Sequence, residues 1–170
     1  SKMPDGIYHG ESGCDWDGTT DKPVYVKVNV TIQGDEMVVD WTGSDKLTDF
    51  ISTPLAVNHA CTYIPILMSV DPDISFNEGS CKPIKIIAPE GTCVNAKYPA
   101  TIGGCNCHLG GELIEAIQMA LGKAMPETVS AMWAPHVSFV TFGDDGREFD
   151  EEAGDFRKYY FTFFGPDGGS

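Results

Sequence analysis

Basic residues are scarce in this chain: 11 Lys and Arg stand against 25 Asp and Glu among 170 residues, a formal net charge of −14. A surface this short of cations repels phosphate backbones and anionic headgroups, which excludes nucleic acid and a membrane surface as partners. Long apolar runs are missing as well, and no stretch approaches the roughly 18 apolar residues that a membrane-crossing helix requires. No glycine-rich loop ends in Gly-Lys-Ser/Thr and no GxGxxG phasing occurs, so an ATP or dinucleotide cofactor has no fingerprint within this segment. Asp15-Trp16-Asp17-Gly18 opens like a calcium loop but lacks its remaining ligands and terminal Glu. Internal repeats and low-complexity linkers are absent.

What is present describes a globular domain. Apolar residues make up 42% and aromatics 11%, enough for one substantial core. Six cysteines lie scattered through well-cored sequence with no signal peptide ahead of them, which favours reduced thiols and a cytoplasmic setting. Acidic clusters at 15–21 and 144–155 read as solvated loops. The start at Ser1 and the end at Gly168-Gly169-Ser170, directly after the aromatic run of 159–164, suggest a single domain spanning 1–170 and cut from the interior of a longer subunit.

Between 24 and 42, Val24, Val26, Val28, Val30 and Ile32 alternate with polar neighbours at the period of a half-buried strand. Gly34-Asp35 supplies a two-residue turn of type II′. Ile32 then faces Met37, Val30 faces Val39, and Val28 faces Trp41, with all six on one buried face. Residues 54–70 predict a helix with Thr53 as a candidate cap and Pro54 in the first position, and with a kink at Pro65 unless that residue sits near an end. Phe76-Asn77-Glu78-Gly79 reads as a turn, and 82–87 and 92–94 as short strands. From Leu109 to Pro126 the apolar spacing predicts about four helical turns, with Glu112, Glu115 and Lys123 on other faces. Strands at 137–142 and 158–164 flank an acidic turn at Asp144-Asp145-Gly146. The sum is an α+β domain: a hairpin-rich mixed or antiparallel sheet packed with two main helices.

Candidate chemistry is sparse. Cys105, Cys107 and His108 place three N/S donors within four residues, but Cys-x-Cys is poor spacing for zinc and no second pair stands nearby. The Gly103-Gly104 and Gly110-Gly111 pairs suit tight packing before a helix, or an anion held on exposed N–H groups. Asp15 with Asp17 could be paired carboxylates, although residues two apart in a loop more often make turn hydrogen bonds. His59 reads as a core or groove histidine. Neither Cys14 nor Cys61 occupies a nucleophile context, so no catalytic residue is assigned.

The order of turn and strand residues is more telling than any one of them. Asp5-Gly6-Ile7-Tyr8, Asp15-Trp16-Asp17-Gly18, Asp40 with Gly43, Asn77-x-Gly79, Pro89-Glu90-Gly91-Thr92 and Asn95 follow one another at spacings that resemble the middle of hydantoinase B-like subunits. That group includes N-methylhydantoinases, 5-oxoprolinase and the alpha subunits of acetone and acetophenone carboxylases. Ser52 departs from the pattern, in which an Asn stands two residues before the proline. The Cys-Asn-Cys-His run and Ala131-Met132-Trp133 lean towards the ketone-carboxylase branch.

The resemblance implies an ATP-dependent parent enzyme that opens a cyclic amide or carboxylates a ketone, in a hetero-oligomer with a hydantoinase A-like ATP-binding subunit or domain. ATP with Mg and a divalent metal would then bind outside these residues, because the family's metal-ligand segment is not among them. The segment itself would supply scaffold and subunit contacts and be inactive alone. The competing class is a non-catalytic binding or assembly module, which the absence of that upstream segment and of a hydantoinase A-like neighbour would favour.

Overall fold

The computed structural model describes residues 3–17, 19–103, 105, 108–129 and 138–164. Five valines or isoleucines at alternate positions dictate the central strand β2 (Val24–Gln33), which pairs antiparallel with β1 (Gly6–Cys14) and β3 (Glu36–Asp40). Ile32 pairs with Met37 and Val30 with Val39, the expected register. Gly34 carries φ 60 while Asp35 has negative φ, the sign pattern of a type II′ turn. All six expected residues, Val28, Val30, Ile32, Met37, Val39 and Trp41, are buried.

Helix α1 (Leu55–Val70), a single helical turn α2 (Glu78–Cys81) and strand β4 (Ile84–Ile87) follow. Strand β4 lies parallel to β3, as a crossover through helices requires, and completes the mixed sheet in the order β1-β2-β3-β4. Helix α3 (Leu109–Ala124) packs against β1, β2 and α1. Strands β5 (Ser138–Asp150) and β6 (Asp155–Phe164) form a separate two-stranded sheet. The fold is α+β with a mixed sheet, as expected.

Several local expectations need correction. Pro54 is the N-cap of α1 in extended conformation (φ −72, ψ 156) and not its first helical residue. Thr53 does not cap that helix, because its hydroxyl instead donates to the Cys105 carbonyl at 3.2 Å. Residues 76–79 are less a turn than the start of α2, where Asn77 and Ser80 form a reciprocal capping box. The 92–94 strand does not form: Thr92 makes one isolated bridge to Lys46, and Cys93 bonds through its N–H to Asp45 O and through its O to Thr53 N. The acidic turn at 144–146 is likewise not a turn, since β5 continues to Asp150 with a register shift between Asp145 and Phe149. The chain reverses instead at 151–154, where Asp150 Oδ1 accepts from the N–H groups of Glu152 and Ala153 and Gly154 takes φ 68.

Candidate functional site

The inward positions of β1 are Gly6, Tyr8, Gly10, Ser12 and Cys14, a mostly small set that lets α3 approach the sheet closely. At Gly10 the approach is limiting, for a Cβ built there would lie 1.8 Å from the Ala116 carbonyl oxygen. One turn back along α3, the Ser12 hydroxyl meets two carboxylates, those of Glu112 and Glu115. Glu112 is only 1% exposed. As a charged residue it is expected on an outer face, yet its spacing of three from Leu109 and four from Ala116 sets it on the buried stripe. The small residues of β1 opposite were the signal that could have found it.

A serine hydroxyl has one proton to donate. It therefore donates fully to one carboxylate at a time, and a neighbouring side chain able to donate back to Oγ would satisfy the second contact. We expect Glu112→Gln, which keeps shape and supplies a donor, to leave the urea midpoint within about 1 kcal/mol of the parent's stability. Glu112→Ala, which removes the contact and leaves a void, should cost about 2 kcal/mol. A larger loss with Gln than with Ala would show that the negative charge itself is required.

Cys14 lies beside this cluster. Burial, then the Glu112 charge, pushes its thiol up to about 12. Burial likewise raises Cys61 to about 11, with Cys105 adding to the shift, and Cys93 to about 12, with Asp45 adding. Thiols held this far above neutrality stay protonated and make poor nucleophiles.

The segment before α3 binds itself. The Cys105 carbonyl accepts from Thr53 Oγ1 and from the Gly110 N–H at 3.0 Å, and the Gly111 N–H donates to His108 O at 3.0 Å. The N–H groups of Gly110 and Gly111 are thus engaged within the chain and are not available to an anion, while Gly104 of the other glycine pair lies outside the described residues. His108 is the N-cap of α3 without a side-chain capping bond, and its ring centroid lies 6.4 Å from that of Phe50. Cys107 lies outside the described residues, as do Gly18, Gly104, Asn106 and the Ala131-Met132-Trp133 triplet. Among the described residues no three His, Cys, Asp or Glu side chains converge with metal-binding geometry. Asn58, fully buried on α1, accepts from Thr62 Oγ1 at 3.4 Å while its Nδ2 has no hydrogen-bond partner. His59 stacks edge-on against Tyr63.

The remaining singled-out positions shape turns at separate places. Asp17 Oδ1 accepts from the N–H groups of Thr19 and Thr20, and Oδ2 from the Thr20 hydroxyl, whereas Asp15 is exposed; the two are not a carboxylate pair. The bonds from Thr20, then Thr19, hold the Asp17 carboxyl down at about 2. Because this value lies below the ordinary 3.8, its stabilising contribution should be complete above about pH 4 and disappear as pH falls through about 2. Denaturation of Asp17→Ala beside the parent should show a difference at pH 6 that closes by pH 2, and a constant difference would contradict this assignment.

Asp40 Oδ1 accepts from the Thr42 N–H at 2.9 Å, and Gly43 next in the turn takes φ 99. Asn77 caps α2, where Gly79 borders a shallow depression of about 490 Å³ beside Tyr63 and Lys82. The Pro89 carbonyl accepts from Thr92 Oγ1 at 2.7 Å, and Gly91 takes φ 80. Asn95 donates through Nδ2 to Ala88 O at 2.7 Å and closes the loop with its carbonyl on the Gly91 N–H. Ser52, at the departure from the family pattern, is fully buried and accepts from the Thr48 N–H at 2.9 Å.

Comparison with known proteins adds an independent line. The family model for hydantoinase B/oxoprolinase matches residues 1–170. The caprolactamase subunit beta of Pseudomonas jessenii is 28% identical over 152 residues, 88% of this chain and 26% of that protein. An uncharacterized protein of Methanocaldococcus jannaschii is 30% identical over 135 residues, 79% of this chain and 24% of its own length. Among solved structures, the ATP-dependent caprolactamase from Pseudomonas jessenii superposes with a TM-score of 0.74 at 28% identity, covering 85% of this chain and 25% of that one. The chain spans about a quarter of the length of the curated relatives it matches. No helix among the described residues is long and apolar enough to cross a membrane.

Proposed function

This chain belongs to the hydantoinase B/oxoprolinase family, and we propose that it is a single interior domain of a larger subunit whose enzyme opens a cyclic amide with the use of ATP. The single observation that carries this reading is the superposition on the ATP-dependent caprolactamase, which extends over 85% of the chain. A ring-opening hydrolase reading is favoured over ketone carboxylation because the named relatives are a caprolactamase and a putative hydantoinase subunit.

Within that enzyme the domain serves as scaffold and subunit contact. The family positions Asp17, Asp40, Gly43, Asn77, Gly91 and Asn95 form caps and turns that fix loop shape. ATP and a divalent metal are assigned to other parts of the assembly, and a hydantoinase A-like subunit is the partner that would supply the nucleotide site. The name of the relative as a subunit beta supports a multi-subunit enzyme. The free cysteines among the described residues fit a reducing cytoplasm.

The test is a coupled assay of the full-length subunit with its partner on a panel of lactams and hydantoins. Ring opening accompanied by ADP release supports this reading. Bicarbonate-dependent consumption of a ketone, with every cyclic amide inert, would replace it with the carboxylase reading.

A further inference from the structure

Strands β5 and β6 form a ribbon apart from the four-stranded sheet, and among the described strands they pair only with each other. Two strands alone are marginal in water, because their faces need a further layer to cover them. At roughly 3.3 Å per residue the 13 residues of β5 reach about 40 Å, more than a small domain is wide. From Glu148 through the reversal to Lys158 every residue is exposed. Two of these are phenylalanines. Phe149 and Phe156 stand opposite each other in register, and therefore on one face of the ribbon, 57% and 42% exposed. Their rings meet edge to face with centroids 5.4 Å apart. Aromatic side chains are enriched at the buried centre of interfaces, and a fixed pair presented to water at the end of a ribbon is a contact surface of that kind.

The groups around the pair define what would cover it. Arg157 Nη1 lies 2.7 Å from Glu148 Oε2 and Lys158 Nζ lies 3.0 Å from Asp155 Oδ2, so both cations are committed. Asp150, Glu151 and Glu152 make no ion pair among the described residues, and they leave the turn negative. A second copy of this chain, itself at −14, is repelled from such a tip. An apolar cleft rimmed by lysine or arginine on a different chain fits it, since arginine can stack on a phenylalanine face while it pairs with a carboxylate. We propose that the hairpin tip, Glu148 to Phe156, docks on the partner subunit, with the Phe149–Phe156 pair in an apolar cleft and Asp150, Glu151 and Glu152 against basic side chains on its rim. This rests on the reading of the chain as part of a multi-subunit enzyme, and it assigns the surface that makes the contact.

The test uses the full-length subunit and the hydantoinase A-like subunit that copurifies with it. With Phe149 replaced by photoreactive p-benzoyl-phenylalanine, irradiation of the complex should link position 149 to the partner subunit. Links only within the same polypeptide, links only to a second copy, or no link in a complex that has formed overturn the proposal. Titration of the separated subunits should show the dissociation constant raised about tenfold or more by Phe149→Ala, and equally by Glu151→Lys with Glu152→Lys. The second variant lies in the exposed turn and keeps the test valid where Phe149→Ala loosens the ribbon. Its loss should shrink as salt rises. Glu36→Lys with Asp73→Lys makes the same charge change at exposed positions elsewhere and should alter the constant by no more than about twofold. Equal losses from the two charge variants would overturn the proposal, by showing only general attraction between oppositely charged chains. A native mass measurement that finds no complex before any substitution would fail the multi-subunit reading itself, and the proposal with it.

Discussion

Val30→Asp should abolish cooperative folding of this domain or lower its stability by about 4 kcal/mol or more. Val30 sits at the centre of β2, flanked in register by Tyr8 on β1 and Val39 on β3, and is fully buried. A carboxylate introduced there has no basic side chain in the surrounding core cluster to pair with. It must either remain charged in an apolar medium or keep its proton, and both routes cost several kcal/mol. Val30→Ala, which removes only methyl groups, should cost about 1 to 3 kcal/mol and stay folded. Equal denaturation midpoints for Val30→Asp and the parent would show that the register of the sheet is wrong.

Gly10→Val is the second large effect. A Cβ at this position would lie 1.8 Å from the Ala116 carbonyl oxygen and 3.1 Å from the Ala120 nitrogen, both main-chain atoms that cannot rotate away. The edge strand would have to part from α3, and the Ser12 contacts to Glu112 and Glu115 would be lost with it. We expect a loss of about 3 kcal/mol or more, at or beyond the upper end for overpacking a core. Gly34→Ala offers the contrast. Nothing lies within 4 Å of a Cβ there, and the cost is confined to the positive φ of 60, about 1 to 2 kcal/mol. Thermal melts of both variants beside the parent would reveal the order, and a Gly10→Val protein as stable as Gly34→Ala would contradict the close β1–α3 contact.

These two sites mark how much of the fold the sequence makes legible. Val30 announces itself, because a buried central strand needs apolar residues at every second position and β2 provides five. Gly10 does not. Strand β1 is inward-facing at Gly6, Tyr8, Gly10, Ser12 and Cys14, so its inner face lacks the apolar alternation that identifies a strand, and only the helix pressed against it explains those residues. Glu112 was hidden for a related reason: a charged residue on a helix is ordinarily outside, and its buried position depends on Ser12, a hundred residues earlier in the chain. The 92–94 segment reads as a strand from its composition, yet its hydrogen bonds go to Asp45 and Thr53 in loops whose positions no local pattern specifies. The family positions were legible as an ordered set of turn residues, and the structure explains that legibility through their caps and positive φ values.

Comparing residues 1–170 alone with the full-length subunit and its partner tests the proposed role of this domain as scaffold within an ATP-dependent ring-opening enzyme. Each would receive the same cyclic amides with Mg-ATP, and ring-opened product would be measured by mass spectrometry. The complete assembly should yield product and ADP, and residues 1–170 neither, even where circular dichroism shows them folded. Turnover by the purified 170-residue chain would contradict it, because a complete catalytic site would then lie within these residues.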